Sequence, residues 1–210
     1  MELHIAIADD HAIVRKGLIL LLLEEFPTAI IEEAANADEL INLTSQNHWD
    51  LVICDINMPG RSGFDALQQI KQTNPDLPVL IMSMYSEDDY AVRAFKAGAW
   101  GYLAKETVHF NLIKAVRAVL SGKKFITSVI AEKMANSLDD RSGKPLHEYL
   151  SNREFEVLKL LASGKSPTAI ATMLSVSVTT ISTYRTRILE KMKMKSNAEL
   201  VRYVVEVNLN

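Results

Sequence analysis

Three aspartates follow apolar runs in the first quarter of the chain. The run 5–8 is followed by Asp9 and Asp10, and the run 50–54 ends at Asp55. Such runs predict buried strands, and the loops after parallel strands build the sites of open α/β sheets. Three converging carboxylates repel one another unless a hard cation lies among them, and Mg2+ prefers oxygen ligands. A metal-held aspartate can act as a nucleophile towards phosphate, so these residues predict a phosphoacceptor site.

The elements that must position these carboxylates alternate over the first 120 residues. Strands are predicted near 3–8, 29–34, 50–55, 78–82 and 99–103, and helices near 11–25, 37–46, 62–73, 86–97 and 107–120. Five strand–helix repeats predict a doubly wound parallel sheet with both faces covered, which explains the continuous apolar runs. Ser62, with Asp65 three residues later, predicts a capped start for the third helix.

The composition favours a cytoplasmic protein without a membrane segment. Of the 210 residues, 48% are hydrophobic, enough for sizeable cores. The longest strongly apolar stretch, 18–23, is far shorter than the ~20 residues that span a bilayer. The single cysteine, Cys54, lies within a predicted strand, so no disulfide framework exists and a buried core role is expected.

The last third of the chain differs in charge and in pattern. The segment Asn136 to His147 is polar, contains Gly and Pro, and is predicted to be a linker. Residues 1–147 hold 14 Lys and Arg against 20 Asp and Glu (net −6), whereas residues 148–210 hold 9 against 6 (net +3). A basic excess, although modest, indicates that any nucleic-acid contact belongs to the C-terminal part.

The C-terminal part contains helix signals and no strand signal. Ser151 and Glu154 have capping-box spacing, Pro167 begins a second helix, and the turn 175–177 precedes a third helix over 178–192. Its predicted apolar stripe is Val178, Ile181, Ile188 and Met192, and its opposite side carries Thr179, Ser182, Thr183, Arg185, Thr186 and Arg187. A last helix over 197–207 is expected to bury Leu200, Val201 and Val204. Two short helices joined by a tight turn predict a helix-turn-helix; a small protein-interaction module is the alternative.

Residues 1–120 resemble the receiver domain of bacterial two-component response regulators, which has a flavodoxin-like fold. The resemblance rests on Asp9, Asp10, Asp55, Asn57-Met58-Pro59-Gly60, Ser83 and Gly101-Tyr102-Leu103-Ala104-Lys105. It implies that Asp55 is the phosphoacceptor and that Asp10, Asp55 and the Asn57 main-chain carbonyl ligate Mg2+, with Asp9 acting through water. Ser83 and Lys105 would then bind the phosphoryl group, and Tyr102 would be the switch aromatic.

His11 and Tyr85 lie next to residues of the predicted site. His11 follows the acidic pair and is interpreted as the first residue of a helix rather than as a metal ligand. Tyr85 follows Ser83 and Met84 and offers no carboxylate to align an attacking water, which predicts slow self-dephosphorylation.

Residues 148–210 resemble the LuxR/NarL-type DNA-binding domain. The resemblance rests on Leu150-Ser151-Asn152-Arg153-Glu154-Phe155-Glu156-Val157-Leu158, on Ile170-Ala171 and on Thr180-Ile181-Ser182-Thr183-Tyr184-Arg185. It implies that DNA contacts come from Thr179, Thr180, Ser182, Thr183, Arg185, Thr186 and Arg187. Many members carry Lys, His and Asn where Ser182, Tyr184 and Pro167 stand, so the preferred base sequence cannot be transferred.

The combined expectation is a response regulator of the NarL/FixJ type. It comprises a receiver domain over 1–120, a short helix and linker over 121–147, and a DNA-binding domain over 148–210. A sensor histidine kinase would phosphorylate Asp55, and a homodimer would bind promoter DNA. Two rivals are a Mg2+-dependent phosphatase, disfavoured because Asp55-Ile56-Asn57 lacks a second carboxylate, and a regulator that works without phosphorylation.

Overall fold

The computed structural model describes residues 2–84, 87–139, 145–207 and 209. It divides into two compact units, the first ending at Leu138 and the second beginning at Asp139. The predictions about Tyr85 and about linker residues 140–144 fall outside the described residues. In the part of the chain that is described, no helix is both long and apolar enough to cross a membrane.

The first unit is built on a five-stranded parallel sheet. Its strands are β1 (His4–Ala8), β2 (Ile30–Ala34), β3 (Leu51–Asp55), β4 (Val79–Ser83) and β5 (Gly101–Ala104), in the spatial order β2-β1-β3-β4-β5. The central strands β3 and β4 are buried along their whole length, whereas the edge strand β2 is largely exposed. The predicted doubly wound parallel sheet is therefore confirmed.

Helices connect successive strands of the sheet. They are α1 (Ala12–Glu25), α2 (Ala37–Gln46), α3 (Gly63–Thr73), α4 (Glu87–Lys96) and α5 (Val108–Leu120), followed by α6 (Ser128–Asp139). One core combines inward residues of β1, β3, β4 and β5 with Leu18 and Leu22 of α1 and with the buried face of α5. The predicted cap of α3 is confirmed, because Ser62 and Asp65 form a reciprocal capping box.

The predicted linker is partly helical. Helix α6 continues to Asp139, so residues 136–139 belong to a helix and not to a polar connection. A short 3-10 helix, Leu146–Tyr149, begins directly after Pro145. The sequence pattern missed the end of α6 because Asn136 and Ser137 favour turns locally, although tertiary context can hold them in a helix.

The second unit, in its described residues, is helical. It contains α7 (Asn152–Ala162), α8 (Pro167–Met173), α9 (Val178–Lys191) and α10 (Asn197–Glu206). Serine side chains cap all four helices, at Ser151, Ser166, Ser177 and Ser196. The α8–α9 turn includes Ser175 with φ of 52°, a left-handed conformation that reverses the chain tightly.

Two predicted core positions are wrong. Val178 at the start of α9 is 43% exposed, and Val201 on α10 is 36% exposed. Val178 lies in the first turn of its helix, where the neighbouring helices do not cover it, and α10 buries only Leu200 and Val204. Apolar type predicts the buried stripe of a helix, whereas the depth of each position depends on its neighbours.

Candidate phosphoacceptor pocket and nucleic-acid face

The carboxyl ends of β1 and β3 bring two aspartates together. These strands are neighbours, with Ala8 opposite Cys54, so Asp9 and Asp55 lie at the next positions on the same edge of the sheet. Both residues are buried, with at most 1% of their surface exposed. Asp10 is exposed, yet ligand atoms of Asp9, Asp10, His11 and Asp55 all lie within 4.8 Å of one another. The structure thus places the three predicted carboxylates in one cluster.

Lys105 bridges the two buried carboxylates from the end of β5. Its Nζ atom lies 2.6 Å from Asp9 Oδ2 and 2.8 Å from Asp55 Oδ2, and only 9% of its side chain is exposed. Burial acts to lower the pKa of Lys105, but the charges and hydrogen bonds of Asp55 and Asp9 outweigh it and raise that pKa. The lysine therefore stays charged and points at the predicted phosphoacceptor.

Opposing influences act on the pKa of the Asp55 carboxyl. Burial, together with the charge of Asp9, raises the pKa of Asp55 to about 6, against the opposing influence of Lys105. The backbone N–H of Asn57 also favours the ionised carboxylate. Because folding has partly desolvated this carboxylate, any additional positive charge beside it stabilises its ionised form.

Two buried carboxylate oxygens of the cluster, Asp9 Oδ2 and Asp55 Oδ1, have no hydrogen-bond partner among the described residues, although Asp9 Oδ2 lies 2.6 Å from Lys105 Nζ. Within the described residues, Asp55 Oδ1 is buried and accepts no well-aligned hydrogen bond. An orphaned carboxylate oxygen beside two further acidic side chains is a donor set that fits a hard divalent cation such as Mg2+. The residues present therefore fit the cation that the sequence predicted.

His11 lies at the start of α1, next to the acidic cluster. It is the N-cap of α1, and its backbone N–H donates a 2.8 Å hydrogen bond to Asp9 Oδ1. Its ring Nδ1 lies 2.7 Å from Asp10 Oδ1, so it also borders the acidic cluster. Its position directly after the acidic pair was the sequence signal for this contact.

Ser83 and Tyr102 lie inside the sheet next to the pocket. Ser83 ends β4 opposite Ala104, one residue before Lys105, and Tyr102 lies opposite Ile81. Neither side chain is exposed. The ring of Tyr102 is thus inside the fold in this structure.

The loop after Asp55 needs a glycine where α3 begins. A Cβ atom on Gly63 would lie 1.9 Å from the carbonyl oxygen of Asp55, and the Gly63 N–H donates to the carbonyl of Ile56 at 2.8 Å. This close approach anchors the start of α3 against the strand end that carries Asp55. No sequence pattern predicted this role of Gly63.

Helix α9 presents a hydroxyl-rich face in the second unit. Five of the seven predicted DNA-contact residues are exposed: Thr179, Ser182, Thr183, Thr186 and Arg187. Thr180 is half-buried, with its hydroxyl 2.8 Å from that of Ser177. The hydroxyls of Ser182, Thr183 and Thr186 donate to main-chain carbonyls four residues earlier, so each must rotate before it can donate to a phosphate or a base edge.

Arg185 does not lie on the exposed face, contrary to the sequence prediction. It follows Ile181 by four residues and precedes Ile188 by three, and both isoleucines are fully buried. Arg185 is half-buried, and its Nε donates a 2.6 Å hydrogen bond to Oδ1 of Asn197 on α10. Its charge suggested the outer face, but the helical repeat places it on the α10 side.

Two buried glutamates hold the helices of this unit together. Glu154 accepts a 2.6 Å bond from Lys191 of α9, and burial, which raises its pKa, is outweighed by contacts with Lys191 and Ser151 that lower it. Glu156 pairs with Arg153, which also donates to the carbonyl of Leu174 near the turn before α9. The contacts of Glu154 with Lys191 and of Arg153 with Leu174 position α9, and the sequence pattern did not predict them because these residues are distant in sequence.

The fold and the acidic cluster define a class of protein, and comparison with known families identifies it. Residues 5–117 match the family described as response regulator receiver domain. Residues 148–204 match the family described as bacterial regulatory proteins, luxR family. The chain belongs to the response regulators that join these two domains, and it is a transcription regulator rather than an enzyme.

Relatives match this chain along nearly its whole length. The oxygen regulatory protein NreC of Staphylococcus carnosus is 34% identical over 212 residues, and that of Staphylococcus epidermidis is 35% identical over 213, each match covering 98% of both chains. Among solved structures, RcsB of Salmonella typhimurium is 27% identical with a TM-score of 0.59, covering 97% of this chain and 98% of the other. RcsB bound to promoter rprA with the phosphomimetic BeF3- is 26% identical, with a TM-score of 0.64 and coverage of 97% and 99%.

Proposed function

We propose that a sensor histidine kinase phosphorylates Asp55 and that the phosphorylated chain binds promoter DNA as a homodimer. The observation that carries the first part is the buried Asp55 carboxylate with Lys105 Nζ 2.8 Å away. The Asp55 oxygen forms a bond to phosphorus while the bond from phosphorus to the kinase histidine nitrogen breaks. Lys105 then contacts the phosphoryl oxygens and offsets their charge.

Mg2+ is the cofactor that we propose for this pocket. Asp10, Asp55 and the main-chain carbonyl of Asn57 would hold it, with Asp9 acting through water, and the orphaned Asp55 Oδ1 supports this assignment. When bound, Mg2+ neutralises charge on the phosphoryl oxygens and keeps the incoming group in line.

Ser83 and Tyr102 are the proposed switch residues. Ser83 is the last residue of β4 and lies at the same edge of the sheet as Asp55, so its hydroxyl can donate to a new phosphoryl group. Movement of Ser83 and the loop after it towards Asp55 would change the space beside Tyr102. The surface near Tyr102 would then have two arrangements, and phosphorylation would favour one of them.

Helix α9 is the proposed DNA-reading element. The proposed DNA contacts come from Thr179, Thr180, Ser182, Thr183, Arg185, Thr186 and Arg187, and a homodimer would read two half-sites. RcsB supports this proposal, because its structures are described as bound to promoter DNA and as two dimers bound to two parallel DNAs.

We assign residues 1–120 to the receiver domain, 121–147 to the short helix and linker, and 148–210 to the DNA-binding domain. A protein that binds promoter DNA works beside the chromosome, so we place it in the cytoplasm.

A binding assay with matched variants tests the proposal. Duplexes are selected from a randomised library by the full chain, and the affinity of the best duplex is measured with and without beryllofluoride and Mg2+. We expect the treated wild type to bind more tightly than the untreated protein. Asp55→Ala should not respond to the treatment, whereas Asp76→Ala, which removes an exposed carboxylate, should respond like the wild type.

Two other results of the binding assay would contradict the proposal. Equal affinity in all samples would support the regulator that works without phosphorylation. Binding of no selected duplex would leave the second unit as a protein-interaction module.

A further inference from the structure

Arg185 and Asn197 connect the DNA-reading helix to the last helix. The Arg185 Nε donates to Asn197 Oδ1 at 2.6 Å across an interval of 12 residues, and the bond is partly buried. The two side chains belong to α9 and to the first turn of α10. Neither residue type nor spacing in the sequence indicated the contact.

The cap of α10 does not require the Asn197 side chain. Ser196 is the N-cap, and its hydroxyl accepts the N–H of Glu199 at 3.3 Å. Within the described residues, the Asn197 side chain accepts its hydrogen bond from Arg185. The amide oxygen of Asn197 is therefore committed to orienting an arginine on another helix.

The contact leaves most of the guanidinium available. Arginine has five N–H donors in a planar fork, and Asn197 uses one of them. In the part of the chain that is described, no carboxylate forms an ion pair with Arg185. Fixing Nε sets the plane of the fork, so the direction of its remaining donors is determined before any partner arrives.

We propose that Asn197 is a positioning residue that holds Arg185 for a contact with a DNA phosphate beside the groove. Arg185 is half-buried between the isoleucine stripe and α10, at the flank of the exposed hydroxyl face, so its fork reaches the DNA backbone and not the base edges. Base discrimination then comes from the exposed residues of α9. This inference rests on the proposed DNA binding, and it assigns the contact of Arg185 to the DNA backbone rather than to the base edges.

A double-mutant cycle tests the positioning role. The full chain, treated with beryllofluoride and Mg2+, is titrated with the selected duplex and with a scrambled duplex across a range of KCl concentrations. Asn197→Ala should weaken both affinities by about two- to tenfold, the cost of ordering one long side chain. Asn197→Ala should have no further effect in an Arg185→Ala background, because it acts through Arg185.

The salt dependence distinguishes a backbone contact from a base contact. Arg185→Ala should reduce the slope of log affinity against log KCl by about 1, with the same loss on both duplexes. Asn152→Ala is the matched control: Asn152 is also half-buried and also follows a serine cap, at the start of α7, and it should leave DNA binding unchanged. Thermal unfolding of every variant shows whether the fold is intact.

Three results would overturn the inference. Additive losses in the double variant would mean that Asn197 acts independently of Arg185. An unchanged salt slope, with affinity lost only on the selected duplex, would make Arg185 a base reader. Failure of the wild type to bind any selected duplex would instead remove the proposed DNA binding itself, together with this refinement.

Discussion

Asp55 combines two demands that oppose each other. Burial keeps competing water away from the phosphoacceptor, yet it desolvates a carboxylate that must be ionised to attack phosphorus. Lys105 is the protein's own partial compensation, and it contacts Asp9 as well as Asp55. A single ammonium cannot balance Asp9, Asp10 and Asp55 together, which is why the pocket has a use for a divalent cation.

Replacing Asp55 should change how stability depends on pH. The folded pKa of Asp55, about 6, exceeds the ordinary value of 3.8, so the folded state holds the proton more tightly than the unfolded state. The contribution of Asp55 to the free energy of unfolding therefore falls as pH rises from about 4 to about 7. Above pH 7 this loss reaches about 3 kcal/mol. Asp55→Asn has no such ionisation, so its stability relative to wild type should rise between pH 4 and pH 7. Urea unfolding in EDTA measures this difference.

The comparison has an internal control. Asp76→Asn alters an exposed carboxylate and should follow the wild-type curve across the same pH range. If the free energies of unfolding of wild type and Asp55→Asn depended on pH in the same way, folding would not raise the pKa of Asp55.

At the scale of elements, the junction between β3 and α3 determines where Asp55 points. The capping box of Ser62 and Asp65 starts the helix, and Gly63 allows the helix to touch the strand end. Strand, loop and helix are thereby joined within nine residues. The rigidity of this junction positions a nucleophile more precisely than a mobile loop would.

Two glycine substitutions separate this role from ordinary helix propensity. Gly63→Ala should destabilise the first unit by more than about 1 kcal/mol and impair phosphorylation, because its Cβ meets backbone atoms of Asp55. Gly17→Ala, on the exposed face of α1 with open space around its Cβ, should stabilise the chain by up to about 1 kcal/mol. Urea unfolding and acetyl-phosphate labelling measure the two effects. Equal behaviour of the two variants would contradict the proposed close-packed junction.

At the scale of the whole molecule, a small chemical event must select between two states. Shifting a population from about 1% to about 99% active takes about 5.5 kcal/mol of differential stabilisation. A phosphoryl group that gains charge-assisted contacts with Lys105 and Ser83 can supply much of this. Pairing two DNA-binding domains then adds affinity that one small domain lacks.

Dimeric reading makes the spacing of half-sites decisive. Inserting 5 base pairs between the half-sites rotates one by about half a helical turn, so affinity should fall by about tenfold or more. Inserting 10 base pairs restores the relative rotation and should recover part of the loss. The same insertions placed outside the site are the control in a mobility-shift titration. An unchanged affinity with 5 added base pairs would argue for binding by single chains.

The sequence alone determined the order and type of the elements and the residues that could do chemistry. Five apolar runs predicted β1 to β5, and the ends of two of them identified Asp9 and Asp55, because hydrophobic periodicity and strand-end chemistry are local properties. The resemblance to receiver domains added Ser83 and Lys105. Only the tertiary structure decided which side chains meet. Lys105 reaches Asp55 across 50 residues, and Arg185 turns towards Asn197 instead of the exposed face. Helix extent and the exposure of Val178 and Val201 were likewise decided by packing, since burial depends on neighbours that the local pattern does not specify.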